Sequence, residues 1–530
     1  MRKPALRVAR WFIAIFGGVL VTLWIVAVGG SRTSVLNAAL LDAMSQHLDA
    51  RVELESFHVS TFPTLSITGD GLRVHHKRQT GGPPLIEVKH FYAEGGVLGL
   101  LHRPRRFRSV MLEGLRINIP PGGLNRHEDD KDKDNDNDKD GARGKEPDRQ
   151  GPVLIDHLVS DDAVLTILPK QSGREPKRFT IHHLRVDSLG FDRRMPFRAT
   201  LTNPIPRGDI ETTGTFGPWI ADGPGSSPLD GKYDFTHADL NTIDGLGGTL
   251  SSKGNFYGRL ERIRVNGTTK TPDFSVDVAG QGVPLDTRFR AIVDGTNGDT
   301  YLEQVDAQFL QTSLTARGAI VGGPHGHGRT VDLDVVMPKG RVEDVLKLAV
   351  KSSKAVMEGR LTMKTKLVLP PEHRKVADRL RLDGTFAVDD ARFTDAEVQR
   401  KITDLSRHGQ GKQKDEPVGR VLSDMRGRFT MGNGVVRFAN LQFGVPGAEI
   451  TLAGTYALRS EALDFAGTLR MQAPISEATG TTGVKRLLLK AVDPLFRKNG
   501  AGAVVPIKIN GMRKDPKFGL DVGRVFGSKD

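Results

Sequence analysis

The chain has no cysteine in 530 residues. That excludes a disulfide scaffold, a thiolate zinc site, an iron–sulfur cluster and a cysteine nucleophile. It leaves the compartment open, because a domain of this size needs no staples even in oxidising surroundings. Aromatic residues are also scarce, at 6%, so the core must be built from small and aliphatic side chains. Motifs of chemistry are missing as well: there is no glycine-rich phosphate loop ending in Lys-Ser or Lys-Thr, no G-x-S-x-G elbow and no H-E-x-x-H. Asp and Glu are scattered, with no pair set on one constrained face. No enzyme activity, cofactor or metal is expected from this sequence.

What is abundant is glycine, with 61 residues, well above the roughly 7% of ordinary proteins, and positive charge, with 76 Lys+Arg against 63 Asp+Glu for a net +13. One long hydrophobic run is present. Residues 11–30, WFIAIFGGVLVTLWIVAVGG, carry no charged side chain and match the length a helix needs to cross about 30 Å of hydrocarbon. Arg2, Lys3, Arg7 and Arg10 precede it, and only Arg32 occurs in the twenty residues after it, which orients residues 1–10 as a basic cytoplasmic tail. The length of the run and Trp24 favour a retained anchor over a cleaved signal peptide. The expected topology is a single pass of the inner membrane, N-terminus cytoplasmic, with the bulk of the chain in the periplasm.

Beyond the anchor, Leu36, Leu40, Leu41, Met44 and Leu48 mark one face of a helix over 33–48. After Asp49 the apolar period falls to two: Val52 and Leu54, Phe57 and Val59, Leu65 and Ile67, Leu72 and Val74 read as short strands separated by breaks. The same texture continues to Val522. In 285–293, Leu285, Phe289, Ala291 and Val293 share a face with Thr287, while Asp286, Arg288 and Arg290 take the other. Leu361, Met363, Leu367 and Leu369 stand against Lys364 and Lys366, and Phe465, Leu469 and Met471 against Arg470. One apolar and one wet face is the signature of antiparallel sheet. The expected fold is therefore mainly β: a transmembrane helix followed by a long antiparallel, curled sheet forming an open groove, with a few amphipathic helices. Helices are expected at 340–351, at a Thr394-capped segment carrying Val398, Ile402 and Leu405, and at 484–492. A loose Gly-Thr repeat at Gly214, Gly384, Gly454 and Gly467 marks bends or bulges where a missing Cβ relieves crowding; frequent Gly-Thr in β-rich chains is the plainer explanation.

So few helices cannot cover so much sheet. The apolar face must close on itself as a sandwich or be lined by something that is not protein. Candidate lining residues are Leu285, Phe289, Val293, Leu361, Met363, Leu367, Phe465 and Leu469, each of which is also an ordinary core candidate.

Four clusters suggest metals and all read better as surface. EDDKDKDNDNDKD at 128–140 is low in complexity, and Asp136, Asp138, Asp140 and Gly141 match the start of a calcium loop, but the twelfth position is Pro147 where a bidentate Glu is required. His75-His76 and His182-His183 point to opposite faces of a strand, and His325-Gly326-His327 sits in a glycine-rich turn. Exported topology and dispersed basic residues argue against nucleic acid.

Read in order, RVELESFHVSTFPTLSITGDGLRVHH (51–76), GGPPLIEVKHFYAEGGVLGLLH (81–102) and VMLEGLRINIP (110–120) resemble the opening domain of the AsmA family, with Phe62-Pro63, the strand pair around Gly71-Leu72 and that around Glu113-Gly114-Leu115 in the expected order. LAGTYALRSEALDFAGTLRM (452–471) resembles the family's repetitive C-terminal region; the acidic segment is a departure. The resulting division is an anchor at 11–30, an AsmA-like N-terminal domain at 31–120, an acidic disordered linker at 121–151, a central β-rich region at 152–338, strands with two helices at 339–416 and an AsmA-like C-terminal β region at 417–530. The resemblance implies a Gram-negative inner-membrane protein related in style to chorein-type bridge lipid transporters. Its implied partners are phospholipids and the inner membrane, with outer-membrane components as further candidates. A second reading is an anchored factor for outer-membrane protein assembly, binding precursors at an open sheet edge.

Overall fold

The computed structural model describes residues 50–60, 64–76, 83–96, 105–119, 153–167, 177–190, 192–220, 224–277, 281–295, 297–322, 328–350, 354–371, 374–412, 421–473 and 503–520. The expected anchor at 11–30, the helices at 33–48 and 484–492, the acidic segment and the 325–327 turn lie outside them. No helix among the described residues is long and apolar enough to cross a membrane.

The chain is mainly β with few helices. Its strands are β1 (Ala50–Glu53), β2 (Ser56–Ser60), β3 (Leu65–His76), β4 (Ile86–Gly95), β5 (Arg105–Glu113), β6 (Arg116–Ile119), β7 (Val153–Ile167), β8 (Lys177–Leu189), β9 (Met195–Pro204), β10 (Arg207–Phe216), β11 (Pro228–Asp239), β12 (Leu246–Gly247) and β13 (Thr249–Arg259). There follow β14 (Arg262–Val276), β15 (Val283–Val293), β16 (Thr300–Phe309), β17 (Thr312–Gly322), β18 (Arg329–Arg341), β19 (Met357–Leu369), β20 (Arg381–Phe393), β21 (Ser423–Gly432), β22 (Val435–Val445), β23 (Ala448–Ala457), β24 (Ala462–Met471), β25 (Ala503–Met512) and β26 (Asp515–Leu520). The described α-helices are α1 (Val342–Ala349), α2 (Val376–Arg379) and α3 (Ala396–Gly409). The chain divides into two compact units, one comprising 1–238, 251–267 and 292–299 and the other 239–250, 268–291 and 300–530.

In the first unit β1 and β2 both pair with β3, which pairs with β4, all antiparallel. The expected separate pairs Leu65/Ile67 and Leu72/Val74 belong to one strand. At Gly71, φ +66°, the buried positions change from odd to even numbers, and β4 changes with it between Val88 and Phe91. The sheet is mixed because β5 and β6 run parallel to β7. Parallel neighbours need a connection of a dozen or more residues, and the stretch between β6 and β7, residues 120–152, has that length. From β7 to β10 the pairing is again antiparallel. Val74, Val88, Phe91, Phe107, Val110 and Leu112 are at most 1% exposed and anchor a closed core.

In the second unit β16 to β26 pair consecutively and antiparallel. The alternation read from 285–293, 361–369 and 465–471 holds in each strand: the charged set is exposed and the apolar set buried or half-buried. Helix α1 lays Val342, Val345, Leu346 and Leu348 on Leu361, Met337 and Val388. Its Asp344, 4% exposed, accepts hydrogen bonds from the Gln311 N–H at 3.0 Å and the Thr312 hydroxyl at 2.9 Å, tying the helix to the β16–β17 turn. Helix α3 packs Ile402 and Leu405 on Phe443, Val445 and Met471. Its cap is Asp395, whose carboxylate accepts from the Glu397 and Val398 N–H groups at 2.9 Å. Thr394, expected in that role, instead donates its hydroxyl to the Ala355 carbonyl. The four-residue α2 was not legible in the apolar spacing.

The repeated glycines all serve close approach, and one of them also stands at a bulge. Gly214, Gly384 and Gly467 sit in continuous register, away from the register shifts of their strands, whereas Gly454 pairs with Phe438 at the shift between Phe438 and Leu441, where the expected bulge does occur. A Cβ on any of them would stand under 3.0 Å from the backbone of a neighbouring strand. Each therefore permits a crease that a side chain would block.

Candidate functional site

Register connects five of the predicted lining residues, Leu361, Met363, Leu367, Phe465 and Leu469, into one face. Starting at Leu367, the opposed positions run Leu382, Met431, Val436, Tyr456 and Leu463 across β19 to β24. From Met363 they run Phe386, Gly427, Leu441, Leu452 and Gly467. From Leu361 they run Val388, Met425, Phe443, Ile450, Leu469 and Val505. Phe465 belongs to the row Thr365, Gly384, Phe429, Phe438, Gly454, Phe465, Ile509. No charged side chain enters these four rows.

The rows hold two polar groups, Thr365 and Tyr456. Thr365 donates its hydroxyl to the Asp383 carbonyl at 3.2 Å, and burial pushes the Tyr456 phenol above its usual range. The opposite face carries the row Asp334, Lys366, Asp383, Thr430, Arg437, Thr455, Asp464. There Lys366 pairs with Asp332 at 3.2 Å and Arg428 with Asp383 at 3.3 Å, as on a solvated surface.

Glycine and phenylalanine share the apolar face in a regular way. The Phe438 and Phe465 rings meet at 5.9 Å between centroids over Gly454, although their strands are not neighbours. Phe386 and Phe438 meet at 6.0 Å across Gly427, and Phe386 and Phe429 at 6.0 Å. Rings lean together where the intervening residue has no side chain. The first unit repeats the device, with a Cβ on Gly69 falling under 3.0 Å from the Phe91 ring across the register pair.

Coverage of the face is uneven. Leu361, Met363 and Leu285 belong to the cluster under α1, and Leu469 to the cluster under α3. Leu361 and Phe465 are 4% and 7% exposed and are closed core positions. Leu367, with its row neighbours Leu382, Val436 and Leu463, is half-buried and outside both clusters. Phe289 is likewise half-buried on the inner set of β15. Val293 falls in the other unit. Thr269 and Thr287, 2.7 Å apart, add a hydroxyl pair beside Leu285 and Phe289. Sequence reasoning missed Phe386, Phe429, Phe438 and Leu382; the alternation within each strand signals them, but only register shows that they join one face.

Among the described residues no group of three or more His, Asp or Glu side chains is placed to hold a metal ion. His183 is occupied by Asp161 at 2.6 Å and His182 by the Thr202 hydroxyl at 2.8 Å. Comparison of the chain with protein-family models, with curated proteins and with solved structures returns no match, so the AsmA resemblance stands on the quoted residues alone.

Proposed function

We propose that this chain is an inner-membrane-anchored, AsmA-like periplasmic protein whose apolar sheet face binds or conducts phospholipid in outer-membrane lipid homeostasis. The observation that carries the reading is the four uncharged rows from β19 to β24, whose packed clusters among the described residues lie beneath α1 and α3. Soluble monomers rarely leave more than a few hundred Å² of apolar surface contiguous. At about 4.8 Å per strand, β18 to β25 extend about 34 Å, comparable with the roughly 30 Å of hydrocarbon in a bilayer leaflet pair. Acyl chains satisfy such a face without hydrogen-bonding groups, and the charged opposite face keeps it oriented to water. The reading calls for no catalytic centre.

Edge pairing with outer-membrane protein precursors has less support. β26, which pairs only with β25 among the described residues, carries Pro516, which offers no backbone donor to an added strand. In the first unit the edge beyond β3 is divided between β1 and β2. Mass spectrometry of the gently extracted protein tests the two readings: co-purifying phospholipid at stoichiometric levels supports the first, and its absence with bound outer-membrane protein segments supports the second.

A further inference from the structure

The first unit carries on its outer face a row that the lipid reading does not use. Across β2, β3, β4, β5, β7 and β8 the register places Ser56, Asp70, His90, Glu113, Asp161 and His183 opposite one another in that order. His90 Nδ1 lies 2.7 Å from Asp70 Oδ1, and His183 Nδ1 lies 2.6 Å from Asp161 Oδ1. Both imidazoles and both carboxylates are well exposed. Between the two pairs, Glu113 and Asp161 are register partners on adjacent parallel strands, which puts two carboxylates side by side. They stand at the seam where β5 and β6 meet β7, the parallel joint of this unit.

We propose that this seam is tightened by acid: proton uptake by His90 and His183 turns two hydrogen-bonded pairs into ion pairs and offsets the repulsion between Glu113 and Asp161. Histidine is the side chain that changes charge between pH 8 and 5, and charge-assisted hydrogen bonds are roughly twice as strong as neutral ones. With neutral imidazoles the row holds three carboxylates and no cation. With both protonated it holds alternating charge, except at Glu113 and Asp161, each of which then has a cation on its other side.

The groups facing these histidines are few. Around His90 they are Asp70 on β3, Glu113 on β5, and Tyr92 and Glu94 on its own strand, with Arg108 held by Glu94 at 3.4 Å. Lys89 runs against Gly114, beside Glu113. Around His183 they are Asp161 on β7, Thr200 and Arg198 on β9, Glu211 beyond Thr200 on β10, and Arg185 on its own strand. Arg185 is committed to Asp187 at 3.1 Å, and Asp187 also binds His157 at 2.7 Å, so it does not neutralise the seam. The Asp70 carboxyl is held below its usual range by the His90 hydrogen bond and then by that from Ser56, which keeps it available as the anionic partner.

The test is amide hydrogen exchange in the full-length, detergent-purified protein at pH 8.0 and 6.0, with rates normalised for intrinsic exchange. Amides of β5 and β7 are expected to open about fourfold less often at the lower pH, the scale of two exposed charge pairs, while β21 to β23 are unchanged. The double variant His90→Gln, His183→Gln, made in a His157→Gln background that removes the third pair on β7, is expected to lose the difference. Glu113→Gln, which removes the carboxylate contact without touching either histidine, is expected to protect the seam already at pH 8.0 and to halve the ratio or more. An equal ratio in β21 to β23, no ratio in the unaltered protein, or a full ratio in the double variant overturns the proposal.

Discussion

The substitution Gly454→Ala tests most sharply how glycine shapes the apolar face. Gly454 lies between Phe438 on β22 and Phe465 on β24, and an added Cβ would stand 2.6 Å from Phe465 Cα and 2.7 Å from its ring, as well as against the Asp464 carbonyl. Two of these are backbone atoms of a paired strand and cannot swing aside. Overpacking of this kind costs about 1–3 kcal/mol. Separating the rings, 5.9 Å apart, removes a further ~0.5–1.5 kcal/mol. Alanine's smaller unfolded-state entropy returns about 0.4–1 kcal/mol, leaving a net loss of about 2 kcal/mol at the middle of these ranges. A chain of two units is not a two-state system, so the readout should be local: amide exchange of β22 to β24 at graded urea. Gly432→Ala is the control, because a Cβ there meets nothing within 4 Å. Equal protection in the two variants would refute the close-approach account.

Other expectations follow from the same geometry. Leu367→Asp and Phe289→Asp place a carboxylate on half-buried apolar positions and are expected to remove bound phospholipid while leaving the circular dichroism spectrum unchanged; retained lipid contradicts their assignment to the lining. Asp344→Ala strips the Gln311 N–H and Thr312 hydroxyl of their acceptor and is expected to cost about 2–3 kcal/mol at α1, read as faster exchange of the β16–β17 turn. Acid is expected to weaken particular contacts. The Asp378 carboxyl is held below its usual 3.8 by the Arg459 hydrogen bonds, and Asp187, although burial pushes it up, is held down by His157 and Arg185. A depressed carboxylate contributes its stability above pH 3.8 and loses it as pH falls through the lower folded value. Arg459→Ala should therefore flatten the stability change between pH 5 and 2.5 around α2, measured by exchange or proteolysis.

Strand texture was legible because the period of two survives in single strands: Leu285, Phe289 and Ala291 against Arg288 and Arg290 needed no partner to be read. What spacing cannot supply is register. That Leu367 joins Leu382 and Met431, or that Phe438 reaches Phe465 over Gly454, depends on which residues of separate strands lie opposite, and no local pattern encodes it. The same limit hid the His90–Asp70 and His183–Asp161 pairs, whose members lie about twenty residues apart in sequence. Gly71 was read as a break because the apolar phase changes there, whereas the strand continues through a positive φ. The Asp395 cap was missed by one residue because Thr394 and Asp395 both have capping side chains, and only the competing Ala355 carbonyl decides between them.

The central claim is that the uncharged rows of the second unit are lined by lipid. Its most direct test is native mass spectrometry of the full-length protein after gentle extraction, compared with Leu367→Asp prepared identically. Phospholipid bound in stoichiometric amount to the unaltered protein and lost from the variant is the result predicted here. A folded, unaltered protein that carries no lipid, or a variant that retains it in full, would contradict the claim.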